Sequence, residues 1–529
     1  MRIVHISTHD IVGGAARAAF RLHKALLAAG EVSSMIVNWK ESDLDSVHQA
    51  TWPNNAPSLL GHLVQSHHLD RNRTPLSNTW FSLGWPGHDL SRHPVVGRAD
   101  ILHLHWVSAY QSPPTLASLL ALGKPVVWTL HDQRAFTGGC HYSAGCTNYE
   151  TSCTACPQLA SDPFGVPAAN LADQIELLPG TKITVIGLSR WMAECARRSA
   201  LFRDAQIELI PNSVETDIFH PQDKPQAKSK LGWPAQALCL LFGADQGNER
   251  RKGFRELMAA LKLCAADVSF AQRIRAKRIC CFYFGHPSPE LNDAPVPVQS
   301  LGHIGSDTEI ARVYAAADLF LLPSLEDNLP NTVLESMSCG TPVAAFHAGG
   351  VPDLVIEGLT GRLAPTGDVR EFSRIILSLA ADPNQLQALG RSCRRHAEDN
   401  FTPGRQAQKC RELYRDLLRR PNAPASASRP PASANAGPHL QRILPRILGE
   451  LFARDLEVLP VPQKPGALAR HELRRARFSG QVKKALAQAA SGLLSYPELM
   501  ARLSDELTRF QGKSPLRMKL KAFLKGWFA

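Results

Sequence analysis

The sequence predicts an α/β protein of two doubly wound, parallel-sheet domains followed by a helical appendage. Three observations predict it. Short, mostly apolar runs alternate with amphipathic helical stretches in two successive series, which is the grammar of parallel sheets with crossover helices. Some runs, such as LFLL at 319–322, are apolar at every position, as in a strand buried on both faces. After Arg420 the composition changes to PNAPASASRPPASANAGP, a Pro/Ala/Ser linker with nothing to bury. A chain of 529 residues is long enough for two or three domains with large cores.

The first series opens with a strand at 2–6, broken by Gly13-Gly14 before a helix carrying Ala15, Ala18, Ala19, Leu22, Ala25 and Leu26 at helical spacing. Further strands are expected at 34–38, 101–105, 125–130 and 182–187, with a helix at 115–122. The series ends near Pro211-Asn212-Ser213. A second follows, with strands at 239–242, 278–284, 298–302, 319–322 and 342–346 and helices at 254–265, 308–316 and 371–381. A closing helix fits 402–419. The domain reading is therefore 1–212, 213–401, a helix at 402–420, a linker at 421–438 and a basic helical appendage at 439–529. In the appendage, Leu440, Ile443, Leu444, Ile447, Leu448 and Leu451 mark an amphipathic helix that Pro445 should kink or delay. Helical patterns also fit 482–494 and 497–510.

Charge is unevenly distributed. The formal net charge is +12, and residues 421–529 alone hold 18 Lys/Arg against 7 Asp/Glu. A basic tail on a nearly neutral body points to an anionic partner, most simply a phospholipid surface. The tail's end, SPLRMKLKAFLKGWFA, mixes apolar and basic residues as an interfacial anchor does, and equally fits a soluble helical add-on. No nucleic-acid motif accompanies the charge. No run of eighteen apolar residues exists, and the N-terminus reads as a strand rather than a signal peptide, so a cytoplasmic protein is expected, peripheral to the membrane if the tail anchors it. Of twelve cysteines, four cluster as Cys140, Cys146, Cys153 and Cys156. In a reducing compartment that grouping favours a structural zinc site, closed to substrate, over disulfides or free thiols.

The densest chemistry lies in ADLFLLPSLEDNLPNTVLESMSCGTPVAAFHAGG. Asp327 sits in the loop beyond a strand, and Glu335 sits on the helix that follows. Ligands bind at such positions in open α/β sheets. The helix start, Asn331-Thr332, offers unpaired N–H groups to a diphosphate, and carboxylates suit a ligand rich in hydroxyls. Together they suggest a nucleotide sugar.

This segment resembles the E-x7-E motif of retaining GT-B glycosyltransferases of family 4, with Asp327, beside Glu326, in the first acidic position and Glu335 in the second. The resemblance extends over about residues 1–420. It implies two Rossmann-like domains facing a cleft, with the closing helix crossing back to the first, and transfer of a sugar from a nucleotide donor with retention. It implies that Glu335 contacts ribose, that Asp327 lies against the donor hexose, and that Asn331 and Thr332 face a phosphate. In FGADQGNERRKGF, Lys252 matches the family's lysine and Ala244 stands where its arginine is usual, which leaves Arg250 or Arg251 to supply the charge. Gly13-Gly14 resembles the glycine-rich turn after the first strand, and His347-Ala348-Gly349-Gly350 resembles the second glycine loop. His131 matches a histidine near the donor sugar, with His103 and His105 candidates for the acceptor side. HDQRAFTGGCHYSAGC, CPQL and DNLPNTVLESMSCGTPV are similar to exopolysaccharide and O-antigen transferases. The implied reaction moves a sugar from a UDP- or GDP-linked donor to a glycan or polyprenyl-linked acceptor, with no cofactor for catalysis. The alternatives are a nucleotide-sugar epimerase and a zinc-bearing, non-enzymatic membrane-recruitment protein.

Overall fold

The computed structural model describes residues 1–50, 61, 64–245, 247–286, 289–420 and 436–454, with positions 484 and 502. The helical patterns at 482–494 and 497–510 and the tail end thus lie outside the described residues, apart from those two positions.

The first sheet contains β1 (Arg2–His9), β2 (Val32–Trp39), β3 (Val47–Gln49), β4 (Ile101–Leu104), β5 (Val126–Leu130), β6 (Ile183–Gly187) and β7 (Gln206–Leu209). Its order is β3-β2-β1-β4-β5-β6-β7, with every pairing parallel. The second contains β8 (Leu238–Ala244), β9 (Ile279–Gly285), β10 (Val298–Ser300), β11 (Leu319–Leu322), β12 (Val343–Phe346) and β13 (Gly361–Ala364), in the order β10-β9-β8-β11-β12-β13 and again parallel. Two parallel-sheet, Rossmann-like domains face one another across a cleft. In each sheet the strand order reverses, between β1 and β4 and between β8 and β11, and the loops leaving those strands open into the cleft. These are the topological switch points where such sheets bind ligands.

Parallel strands covered by helices on both faces must be apolar on both, and the central strands of the second sheet are. β8, β11 and β12 are buried at every residue, packed under Leu257, Leu261, Val333 and Ile376 from the flanking helices. Helix Pro403–Arg419 lies beneath the first domain. Its Ala407, Cys410, Leu413, Tyr414 and Leu417 pack with Ile3, Leu22, Leu26 and Ile101, and the Tyr414 hydroxyl is 2.6 Å from His103 Nδ1.

Helix Pro438–Arg454 corrects one expectation. Of the two effects expected of Pro445, a delayed start is not seen, since Pro445 lies inside the helix. Its start is set from outside: the Asp173 carboxylate accepts the N–H groups of His439 (2.7 Å) and Leu440 (3.1 Å), while Leu440, Leu444 and Ile447 are buried. Part of the expected appendage is therefore docked on the first domain, against helix Val166–Leu177.

Candidate active site

The cleft holds about 410 Å³ and is lined from both domains. From the second domain come Gly243, Ala244, Arg251, Lys252, Asp327 and the first turn of helix Asn331–Ser338. Gly253 makes the basic turn possible. It has a φ of +70°, and a Cβ there would lie 1.8 Å from the Pro323 carbonyl oxygen. The turn thereby packs onto the loop leaving β11, and the Lys252 ammonium donates to Asp327 Oδ2 at 2.8 Å. Arg251 Nη1 is 3.4 Å from the same oxygen, Nη2 pairs with Glu249 at 2.7 Å, and the guanidinium lies 4.1 Å from the Tyr142 ring centre. Burial alone would raise the Asp327 carboxyl, but the two cations and the Asn328 N–H outweigh it and hold the group below the usual carboxylate range. Of the two arginines left open by the sequence, Arg250 turns away to Glu256. Arg251 lines the cleft.

From the first domain come Gly13, Gly14, His131, Asp132 and an aromatic group, Trp80, Trp106, His141 and Tyr142. Gly14 approaches the opposite helix: its carbonyl accepts from Asn331 Nδ2 at 2.9 Å. Thr332 also lines the cleft. His131 Nε2 is 3.2 Å from His105 Nδ1, whose Nε2 is 2.9 Å from His5 Nδ1. His5, His103 and His105 are buried and His131 is half-buried at the cleft, and burial pushes His131 down to about 4 and His103 to about 3. His103, His105 and His131 stay neutral at pH 7, since burial also holds His105 low.

Two expected site residues, Glu335 and His103, lie away from the cleft lining. Glu335 does not line the cleft. Its carboxylate accepts from Arg21 Nη2 at 2.9 Å, with Arg17 at 3.9 Å, both on the first domain's helix Gly14–Ala28, and Arg21 also pairs with Glu215 at 2.6 Å. Arg17 further pairs with Asp307. Glu335 is thus a tie between the domains in this state. His103 is not on the acceptor side: bonds to Tyr414 and Thr129 hold it inside the first domain. At Gly349 and Gly350, added Cβ atoms would strike the carbonyl oxygens of Asp327 (2.0 Å) and Asn328 (1.9 Å), so these glycines let their loop pack beneath the Asp327 loop.

Trp80, Trp106, His141 and Tyr142 escaped sequence reading. They meet because Phe81 pairs antiparallel with Cys140, joining chain stretches nearly sixty residues apart, and no local pattern announces that bridge. The stretch that begins at Cys140 carries the cysteines. Cys140, Cys146, Cys153 and Cys156 line one cavity of about 20 Å³, where burial first, and then the neighbouring thiols, raise Cys140 and Cys156 and push Cys153 up to about 12. The amides of Gly138 and Asn148 point at Cys153 (3.2 Å) and Cys146 (3.4 Å) sulfurs. Among the described residues, the trios whose ligand atoms lie within 4.8 Å of one another are His5–His103–His105 and Asp245–His286–His303; the cysteine sulfurs are more widely spread.

Residues 239–382 match the family described as Glycosyl transferases group 1. That match lies within the second domain, and the two facing parallel-sheet domains have the GT-B architecture. Among curated proteins it is similar to D-inositol 3-phosphate glycosyltransferase 1 of Catenulispora acidiphila, 30% identical over 42% of this chain and 56% of that one. It is also similar to D-inositol 3-phosphate glycosyltransferase of Saccharomonospora viridis, 26% identical over 49% and 67%. The chain thus spans between about half and two thirds of these relatives. Two solved structures share the fold. Sucrose-phosphate synthase from Thermosynechococcus elongatus is 19% identical with a TM-score of 0.55, covering 79% of this chain and 99% of that one. Anabaena Alr3699/HepE in complex with UDP is 16% identical with a TM-score of 0.51, covering 79% and 100%.

Proposed function

We propose that the protein is a retaining glycosyltransferase of family 4 that moves a sugar from a UDP- or GDP-linked donor to a glycan carried on a lipid, in polysaccharide biosynthesis. One observation carries the reading: Lys252, Arg251, the first turn of helix Asn331–Ser338 and the backbone of Gly13-Gly14 all border one cleft. A leaving diphosphate needs that set of cations and N–H donors. In the transfer, the bond from the anomeric carbon to the diphosphate breaks. A bond to the acceptor oxygen forms on the same face, and the acceptor's proton passes to the departing diphosphate. Asp327 and His131 border the donor sugar, and Glu335 reaches ribose once its tie to Arg21 opens. The basic tail would hold the enzyme at the inner membrane face, beside a polyprenyl-linked acceptor.

The test is a thermal-shift screen of UDP-, GDP- and dTDP-sugars, followed by nucleotide release with a polyprenyl-linked acceptor. A donor that binds raises the midpoint by mass action, and Lys252→Met abolishes the shift. No shift with any nucleotide sugar would overturn the reading.

We also propose that Cys140, Cys146, Cys153 and Cys156 hold a structural zinc ion. Four thiols around one cavity with amides aimed at two sulfurs fit a closed tetrahedral site, though binding must draw the sulfurs inward. Its part would be to fix the loop at 140–156 behind Trp80 and His141.

A further inference from the structure

We propose that the first-domain wall of the cleft, built on Trp80 and Trp106, is a subsite for a neutral pyranoside, and that the acceptor it selects carries no phosphate near the reacting hydroxyl. The proposal rests on the glycosyl-transfer reading for its chemistry, and on the wall itself for its specificity.

The two sides of the cleft differ in kind. The second domain presents Lys252 and Arg251. Among the described lining residues, the first domain presents no lysine or arginine. The arginine nearest in sequence, Arg134, is turned away: its Nε donates to the Ser82 carbonyl at 3.0 Å. The charged group this wall does present is negative. Asp132 lines the cleft, and although burial alone would raise it, His141, the Arg134 N–H and the Trp106 indole hold it below the usual range, so it is ionised at neutral pH. Among the described lining residues, a phosphate would meet this carboxylate with no lysine or arginine on its side of the cleft, and the His141 ring beside it is already paired with Asp132 at 2.6 Å. Both cations opposite are engaged by Asp327 and would be needed by the donor diphosphate.

What the wall offers is flat apolar surface with fixed polar edges. The Trp80 and Trp106 rings stand edge to face, 6.0 Å apart at 86°. Trp106 Nε1 donates to Asp132 Oδ2 at 2.8 Å, and that oxygen is 2.6 Å from His141 Nδ1. His141 Nε2 is in turn 2.6 Å from Ser82 Oγ. Serine, histidine and aspartate thus form a hydrogen-bonded line, but Ser82 does not line the cleft, so the line sets ring orientation and exposes no nucleophile. Aromatic faces suit the C–H face of a pyranose, and an ionised carboxylate accepts from its hydroxyls.

The test uses the full chain, with p-nitrophenyl pyranosides of glucose, galactose and mannose and D-inositol 3-phosphate as probes. Glycoside binding is measured by calorimetry with and without nucleoside diphosphate, and transfer by nucleotide release. The expected result is binding and release with at least one neutral glycoside and none with inositol 3-phosphate. Trp80→Ala should raise the acceptor KM about tenfold, leave the nucleotide Kd unchanged, and be largely rescued by Trp80→Phe. Equal or better use of inositol 3-phosphate, or an unchanged acceptor KM in Trp80→Ala, overturns the subsite. Trp80-dependent glycoside binding with no nucleotide binding would uphold the subsite and overturn the transfer reading. Nucleotide binding with no glycoside binding does the reverse.

Discussion

Replacing Asp327 with asparagine keeps its shape and removes one charge from a buried trio. The carboxylate, 8% exposed, lies 2.8 Å from Lys252 Nζ and 3.4 Å from Arg251 Nη1, and those side chains are only 18% and 15% exposed. At an effective dielectric constant of about 20, the 2.8 Å contact alone is worth about 6 kcal/mol of attraction before desolvation is set against it. Breaking a buried pair while its partner stays behind typically costs about 3–5 kcal/mol. Arg251 keeps Glu249, whereas Lys252 has no other carboxylate within 4 Å among the described residues, so Lys252 should dominate the loss. For a cooperative unit of this size, each kcal/mol lowers the melting midpoint by about 2–4 °C, which gives a drop of roughly 6–20 °C. Scanning calorimetry at pH 7.5 measures it. Saturating UDP or GDP should then stabilise Asp327→Asn more than the parent, because the diphosphate takes the place of the missing carboxylate. A midpoint within about 1 °C of the parent, with or without nucleotide, would refute the ion-pair account.

Four further outcomes are expected. Arg21→Met and Glu335→Gln should each cost about 3–5 kcal/mol, and the double variant should cost clearly less than their sum; strict additivity in denaturant titrations would show that the interdomain tie carries no energy. Stability should fall below pH 6.5, because His23, His103 and His131, held near 4, 3 and 4, stay neutral in the fold while the unfolded chain takes up protons. The contribution is complete above pH 6.5 and reaches a loss of about 2 kcal/mol per histidine at pH 5, so a flat urea midpoint between pH 7.5 and 5 would contradict it. Tyr414→Phe removes the hydroxyl from His103 and should cost about 1–3 kcal/mol by urea titration, an effect absent if that contact is idle. Plasma emission spectrometry of protein purified in reducing buffer should find about one zinc per chain, lost in Cys153→Ser along with several degrees of midpoint; metal-free, equally stable protein would remove zinc from the account.

Much of the sheet architecture was legible because parallel strands declare themselves as apolar runs. Leu319–Leu322 and Val343–Phe346 were read within a residue of their observed limits. β3 and β13 were missed, being short and partly polar: VHQ and GRLA carry no apolar periodicity and are strands because a neighbour supplies the ladder. The site was legible where its residues are close in sequence. Arg251, Lys252, Asp327, Asn331 and Thr332 all line the cleft. It was illegible where pairing spans the chain. Nothing near Glu335 announces Arg21, which is 314 positions away, and nothing near Trp80 announces His141. Where the sequence has Ala244 in place of an arginine, the arginine lining the cleft is Arg251, which stacks over Tyr142 of the opposite domain.

Helix Pro403–Arg419 has a consequence for synthesis. The underside of the first sheet, with Ile3, Leu22 and Ile101, is covered by residues that leave the ribosome some four hundred positions later. The first domain therefore emerges with an open apolar floor and a buried histidine still missing its tyrosine partner, and it must wait for the whole second domain to be translated. A chaperone acting on this chain would find its work there, and truncation before Pro403 should yield aggregation rather than a smaller folded protein.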